Sequence, residues 1–265
     1  MTIRSNTSKL LCRQRIIKPE PGLEIWYCLI SDLMDIVFLK KNYSTSSLQR
    51  GIFFEENDFI PEFLSPEELE TINGFKALKK QIEWTAGRFL IKNMVNELFW
   101  NAYVNASDIP FDHEKFSISS VDEKNIRLCD IIISHHEQGA PFLEKWPFVK
   151  ISISHSGAYA AASLCVAKGK DPGLDIEKIG PVPDSSFMKF AFTEKEIANM
   201  QQCPEDVFKR WTVKEAFLKY IKKGFNESLH NVEILDGQIF HEGDKVDVSV
   251  FSTIVGNKYA LSMVS

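Results

Sequence analysis

The spacing of apolar residues changes along this chain, and that change constrains the fold more than any other feature. Over residues 75–100, Ile82, Phe89, Met94 and Leu98 form a rough stripe at helical spacing, which predicts a long helix. From Phe116 onward the apolar residues come in short runs instead. Ile131-Ile132-Ile133, residues 149–153 and residues 158–166 read as strands, with a turn at Gly157. Lys168-Gly169-Lys170-Asp171-Pro172-Gly173 is the best linker, and residues 173–179 form the strand after it. Ser65 caps a helix, with Pro66 at its first position and Glu67 and Glu68 at the positive end of the dipole. Thr193-Glu194-Lys195-Glu196 is a capping box, and residues 205–223 read as a longer helix stopped near Gly224. Residues 23–30 read as a strand, 1 to about 20 as a loose arm and 44–50 as a loop. Residues 230–265 read as strands with turns at Asp236-Gly237 and Gly256-Asn257, and no short repeat is visible.

A chain of 265 residues makes one large domain or two small ones, and buries roughly 70–75% of its unfolded surface. The net charge of −5 argues against a dedicated nucleic-acid binder, whose pI lies above about 9. Cys12, Cys28, Cys129, Cys165 and Cys203 are widely spaced without a C-x-x-C, which argues against a disulfide framework or a cysteine-rich zinc site. No stretch approaches roughly 18 uncharged apolar residues, and the polar, basic N-terminus lacks a secretory apolar core. The expectation is a soluble, cytoplasmic protein.

Three segments carry chemistry. On a strand, Asp175 and Glu177 share a face and could grip a hard cation such as Mg²⁺, although about five acid-x-acid pairs arise by chance in a chain this acidic. Residues 209–223 hold six basic residues and one acid, so the rest of the chain sums to −10. Within them Glu215 and Lys219 stand at i and i+4, with Lys214 adjacent. These residues make either an exposed Glu–Lys pair on a solvated helix or a carboxylate beside a cation that meets phosphate. Ser152-Ile153-Ser154-His155-Ser156-Gly157 offers hydroxyls and backbone N–H groups to an anion, or is a turn whose serines cap the local backbone. A serine hydrolase is disfavoured, since no G-x-S-x-G is present and adjacent Ser154 and His155 are not a triad. His135-His136-Glu137 lacks a third zinc ligand, and His113, His230 and His241 stand alone.

Taken in order, Ile153-Ser154-His155-Ser156, Gly173-Leu174-Asp175-Ile176-Glu177 and Trp211-Thr212-Val213-Lys214-Glu215-Ala216 with Lys219 resemble the 4′-phosphopantetheinyl transferase superfamily. The length is similar to its larger, monomeric branch, which resembles two fused copies of the small holo-acyl-carrier-protein synthase subunit. A softer likeness covers residues 65–69 and Trp84-Thr85-Ala86-Gly87-Arg88. The resemblance implies an α+β fold in two related halves with pseudo-twofold symmetry, residues 1–169 and 170–265, with coenzyme A in the cleft between them. It implies a monomer that moves the 4′-phosphopantetheine of coenzyme A onto a serine of an apo acyl or peptidyl carrier protein. Such loading serves fatty acid, polyketide or nonribosomal peptide synthesis.

By the same resemblance Asp175, Glu177 and Glu215 hold Mg²⁺ or Mn²⁺, Glu215 acts as base, and Lys219 meets the scissile pyrophosphate. Ser154, His155, Arg88 and Lys214 contact coenzyme A. Two positions depart from the pattern: Ala140 stands where a basic residue is usual in Gly139-Ala140-Pro141, and Lys222 where a glycine is usual. The charge of residues 209–223 predicts that an acidic carrier docks there. Two other readings stay open, an inactive coenzyme A-binding homologue and a metal-dependent phosphodiesterase.

Overall fold

The computed structural model describes residues 14–39, 50–104, 126–256 and 258–265. The expected loop at 44–50 lies outside these residues except for Arg50, as do Cys12, His113 and Phe116. The chain is a mixed α and β structure. Strands β1 (Arg15–Glu20) and β2 (Leu23–Leu29) precede helices α1 (Ile30–Val37), α2 (Pro66–Asn73) and α3 (Leu78–Val104). Strands β3 (Ile133–His135), β4 (Pro141–Leu143), β5 (Lys150–Ser156), β6 (Tyr159–Cys165) and β7 (Gly173–Lys178) follow. Then come α4 (Ser185–Ala191), α5 (Glu194–Asn199) and α6 (Pro204–Tyr220). The chain closes with β8 (Val232–Leu235), β9 (Gln238–His241), β10 (Asp244–Lys245), β11 (Val250–Val255) and β12 (Tyr259–Val264).

The arm expected at the N-terminus is a strand over its described part. β1 pairs antiparallel with β2 across a turn at Pro21-Gly22, where Gly22 takes φ +77°. It is an edge strand with no buried residue and its two isoleucines are adjacent, so the apolar alternation that reveals a buried strand is missing from it. The strand expected over Ile131-Ile132-Ile133 begins only at Ile133, because a short 3₁₀ turn occupies residues 128–130.

One strand order recurs. In the first sheet β2 pairs with β6 and β6 with β5; in the second β7 pairs with β12 and β12 with β11. Each set packs against a long helix, α3 on β6 and α6 on β12. A second motif also recurs without any matching run of sequence. Ser65 caps α2 and Thr193 caps α5, each through a reciprocal capping box closed by Glu68 or Glu196. A fully buried lysine from the long helix then bonds that glutamate and the carbonyl two residues before the cap. Lys92 bonds Glu68 and the Phe63 oxygen, and Lys214 bonds Glu196 at 2.7 Å and the Ala191 oxygen at 2.8 Å.

The largest core cluster joins α1, α2 and α3 to the first sheet, around Trp26, Phe54, Phe59, Phe89 and Ile91. Among the described residues no helix is long and apolar enough to cross a membrane. Cys28, Cys129, Cys165 and Cys203 are unbridged.

Candidate active site

Gly173 opens β7 because no side chain fits there. A Cβ would lie 1.9 Å from the Ala216 carbonyl oxygen and 2.5 Å from the Tyr220 nitrogen. The strand therefore runs directly against α6, which brings Asp175 to Lys219 and beside Glu215. Asp175 and Glu215 are both buried. Lys219 Nζ donates to Asp175 Oδ1 at 2.8 Å and to the Leu174 carbonyl at 2.9 Å. From β5, Ser154 Oγ donates to Asp175 Oδ1 at 2.8 Å and Ser156 Oγ to Glu177 Oε2 at 2.7 Å.

This leaves Asp175 Oδ2 and Glu215 Oε1 buried without a hydrogen-bond partner. Two orphaned carboxylate oxygens in an all-oxygen set fit a hard cation such as Mg²⁺ better than zinc. The three carboxylates do not all bring an oxygen within 4.8 Å of one another, and Lys219 is the counter-charge at Asp175 in this arrangement. Among the described residues the group that does close to that distance is Glu227, His241 and Glu242. There, hydrogen bonds from Lys223 and Asn231 hold the Glu227 carboxyl down to about 2, so that acid is already partnered.

Burial, then the nearby Asp175, pushes the Glu215 carboxyl up to about 7, and burial also raises Glu177. Between the unfolded value of 4.5 and about 7 the folded protein holds the extra proton, so its stability falls as pH rises through that window. The loss is on the order of 3 kcal/mol, at 1.36 kcal/mol for each pKa unit. The melting temperature of the metal-free protein should therefore drop between pH 5 and pH 8 by more than that of Glu215→Gln. Parallel curves for the two proteins would contradict the assignment.

A cavity of about 310 Å³ opens beside the acids. It is lined by Glu215, Lys219 and Lys222 from α6 and the turn after it, and by Gly139, Phe142 and Ile153 from the segment β3 to β5. Lys222 sits where the resemblance expects glycine, and the backbone explains that expectation. Its φ is +59°, and the bonds Lys222 N to Lys219 O and Lys223 N to Leu218 O close α6 as a Schellman turn. A lysine there keeps the geometry at a cost of about 1 kcal/mol.

The remaining expected residues fall in different places. His155 is half-buried with Nδ1 3.6 Å from Glu83 Oε2; burial lowers its pKa, and the charges of Lys80, Lys219 and Lys79 act on it too. Arg88 is buried, stacks at 4.1 Å over Trp84, and keeps an unpartnered Nε; it does not line the cavity. Lys214 does not line it either, since its ammonium is bound by Glu196 and the carbonyls of Ala191 and Leu229.

The basic face expected over residues 209–223 is largely neutralised within the fold. Arg210 pairs with Asp206, Lys214 with Glu196, Lys219 with Asp175, Lys222 with Asp171 and Lys223 with Glu227. Sequence spacing registers the i,i+4 pairs Arg210–Asp206 and Lys223–Glu227 but not the acids that reach Lys214, Lys219 and Lys222 from other parts of the chain. Two features of the site went unread in the sequence, Lys79 and Lys80 beside His155 and the part played by Ser152 and Ser156. The signal for the serines was their period of two along β5.

Residues 171–263 match the family described as the 4′-phosphopantetheinyl transferase superfamily. The chain is 24% identical to 4′-phosphopantetheinyl transferase Sfp of Bacillus subtilis, over 72% of this chain and 76% of that protein. It is 27% identical to the human L-aminoadipate-semialdehyde dehydrogenase-phosphopantetheinyl transferase, over 68% of this chain and 57% of the relative. It is also 27% identical to the holo-[acyl-carrier-protein] synthase of Lactococcus lactis, over 48% of this chain and 92% of the relative. These comparisons agree with the resemblance drawn from the motifs: the chain is similar to proteins named as 4′-phosphopantetheinyl transferases and as a holo-[acyl-carrier-protein] synthase.

Proposed function

We propose that the protein transfers the 4′-phosphopantetheine of coenzyme A to a serine of an apo carrier protein and releases adenosine 3′,5′-bisphosphate. The observation that carries this reading is that Glu215 and Lys219 line the cavity while Lys219 bonds Asp175 behind it, with one oxygen each of Asp175 and Glu215 buried and unpartnered. Asp175, Glu177 and Glu215 would hold Mg²⁺, which when bound supplies the positive charge a pyrophosphate needs before a neutral hydroxyl attacks it.

The carrier serine oxygen forms the new bond to the phosphorus bearing pantetheine, and the bond to the nucleotide bisphosphate breaks. Glu215, directly or through a water, takes the serine proton. Lys219 stabilises the charge on the leaving phosphate. His155, with Lys79 and Lys80 nearby, would meet the 3′-phosphate, and Arg88 would support the nucleotide end. The repeated strand order and the repeated lysine clamp support two related halves, 1–169 and 170–265, in one monomer.

Incubation with coenzyme A, Mg²⁺ and a panel of apo carrier proteins tests the proposal. The expected result is a mass gain on a carrier. Binding of coenzyme A without a gain would make the protein a scaffold instead, and cleavage without transfer would make it a phosphodiesterase.

A further inference from the structure

We propose that Ser156 is a positioning residue that orients Glu177, a role resting on the metal-carboxylate reading above. β5 and β7 are edge strands of two different sheets and share no backbone ladder. Three serines at alternate positions of β5 take the place of that ladder. Ser152 Oγ accepts from Leu174 N at 3.0 Å, Ser154 Oγ from Ile176 N at 3.4 Å and Ser156 Oγ from Lys178 N at 3.2 Å.

A hydroxyl has one proton to donate. With a backbone N–H fixed on its acceptor side, that proton is aimed. Ser154 aims it at Asp175 and Ser156 at Glu177, whereas Ser152 serves the backbone of β7 and reaches no carboxylate. Asp175 is held a second time by Lys219, so Ser156 is the more consequential of the two aimed hydroxyls. The seam thus does two jobs, joining the sheets and setting the direction of both β7 carboxylates.

The two jobs separate by experiment. Ser156→Thr and Ser156→Val have nearly the same shape and β-strand fitness, and differ by one hydroxyl. Mn²⁺ affinity is measured by calorimetry without coenzyme A, alongside kcat and KM. Outer-shell partners of metal ligands are worth 10–100-fold in affinity or activity, and a loss of about that size is expected for Val, with Thr close to wild type. KM for coenzyme A should move little. Ser152→Ala, which cuts only the structural bond, should lower the melting temperature and leave Mn²⁺ affinity unchanged. Equal Mn²⁺ affinities for the Val and Thr variants would overturn the role of Ser156 while leaving the metal site standing. Absence of Mn²⁺ binding to the wild-type protein would overturn both.

Discussion

Replacing Asp175 by alanine should lower the rate of carrier loading by several orders of magnitude while the protein stays folded. Asp175 Oδ2 is one of the two orphaned oxygens of the site, and its loss removes a proposed metal ligand and the partner of Lys219 together. The same change relieves repulsion among three acids, and Lys219 is exposed enough for water to solvate it. The melting temperature should therefore hold or rise as activity collapses. A variant that unfolds, or a wild-type protein fully active in EDTA, would contradict the site.

Lys214→Ala should act in the opposite way, through stability. Lys214 and Glu196 are both fully buried, and removing one partner of such a pair costs about 3–5 kcal/mol because the other charge is left uncompensated. Lys92→Ala should behave alike, since Lys92 and Glu68 repeat the arrangement. Combining Lys214→Met with Glu196→Leu should recover much of the loss, because a well-packed apolar pair can replace a buried ion pair. Denaturant melts read the effect, and coenzyme A affinity of the folded Lys214→Ala protein should stay near wild type. A large fall in that affinity with little change in stability would instead support the coenzyme A contact that the family pattern implies.

These two lysines show how far the sequence could be read. The spacing of Asp175 and Glu177 on a strand, and of Glu215 and Lys219 on a helix, fixes which side chains share a face, whereas the joining of the two pairs into one acid cluster came from the family resemblance and not from short-range geometry. Lys214 is one residue from Glu215, and one residue turns a helix by about 100°. Glu215 therefore faces β7 while Lys214 faces α5 and Glu196. The capping box was legible as a helix start, but the second bond of Glu196, to a lysine 18 residues on, was not. The ion pairs of Lys219 and Lys222 were hidden for the same reason, since Asp175 and Asp171 arrive from another part of the chain, whereas Arg210–Asp206 and Lys223–Glu227 stand at i and i+4. Strand β1 escaped notice because its two isoleucines are adjacent rather than alternating, none of its residues is buried, and it pairs along one edge only.

The central claim is a transfer, and one measurement addresses it most directly. An apo carrier is incubated with the protein, Mg²⁺ and coenzyme A. The carrier's intact mass and the adenosine 3′,5′-bisphosphate released are then followed together. The account predicts a gain of one 4′-phosphopantetheine per carrier, matched mole for mole by the released nucleotide and abolished when the acceptor serine is replaced by alanine. Nucleotide released without any gain on the carrier, or a gain that survives loss of that serine, would contradict it.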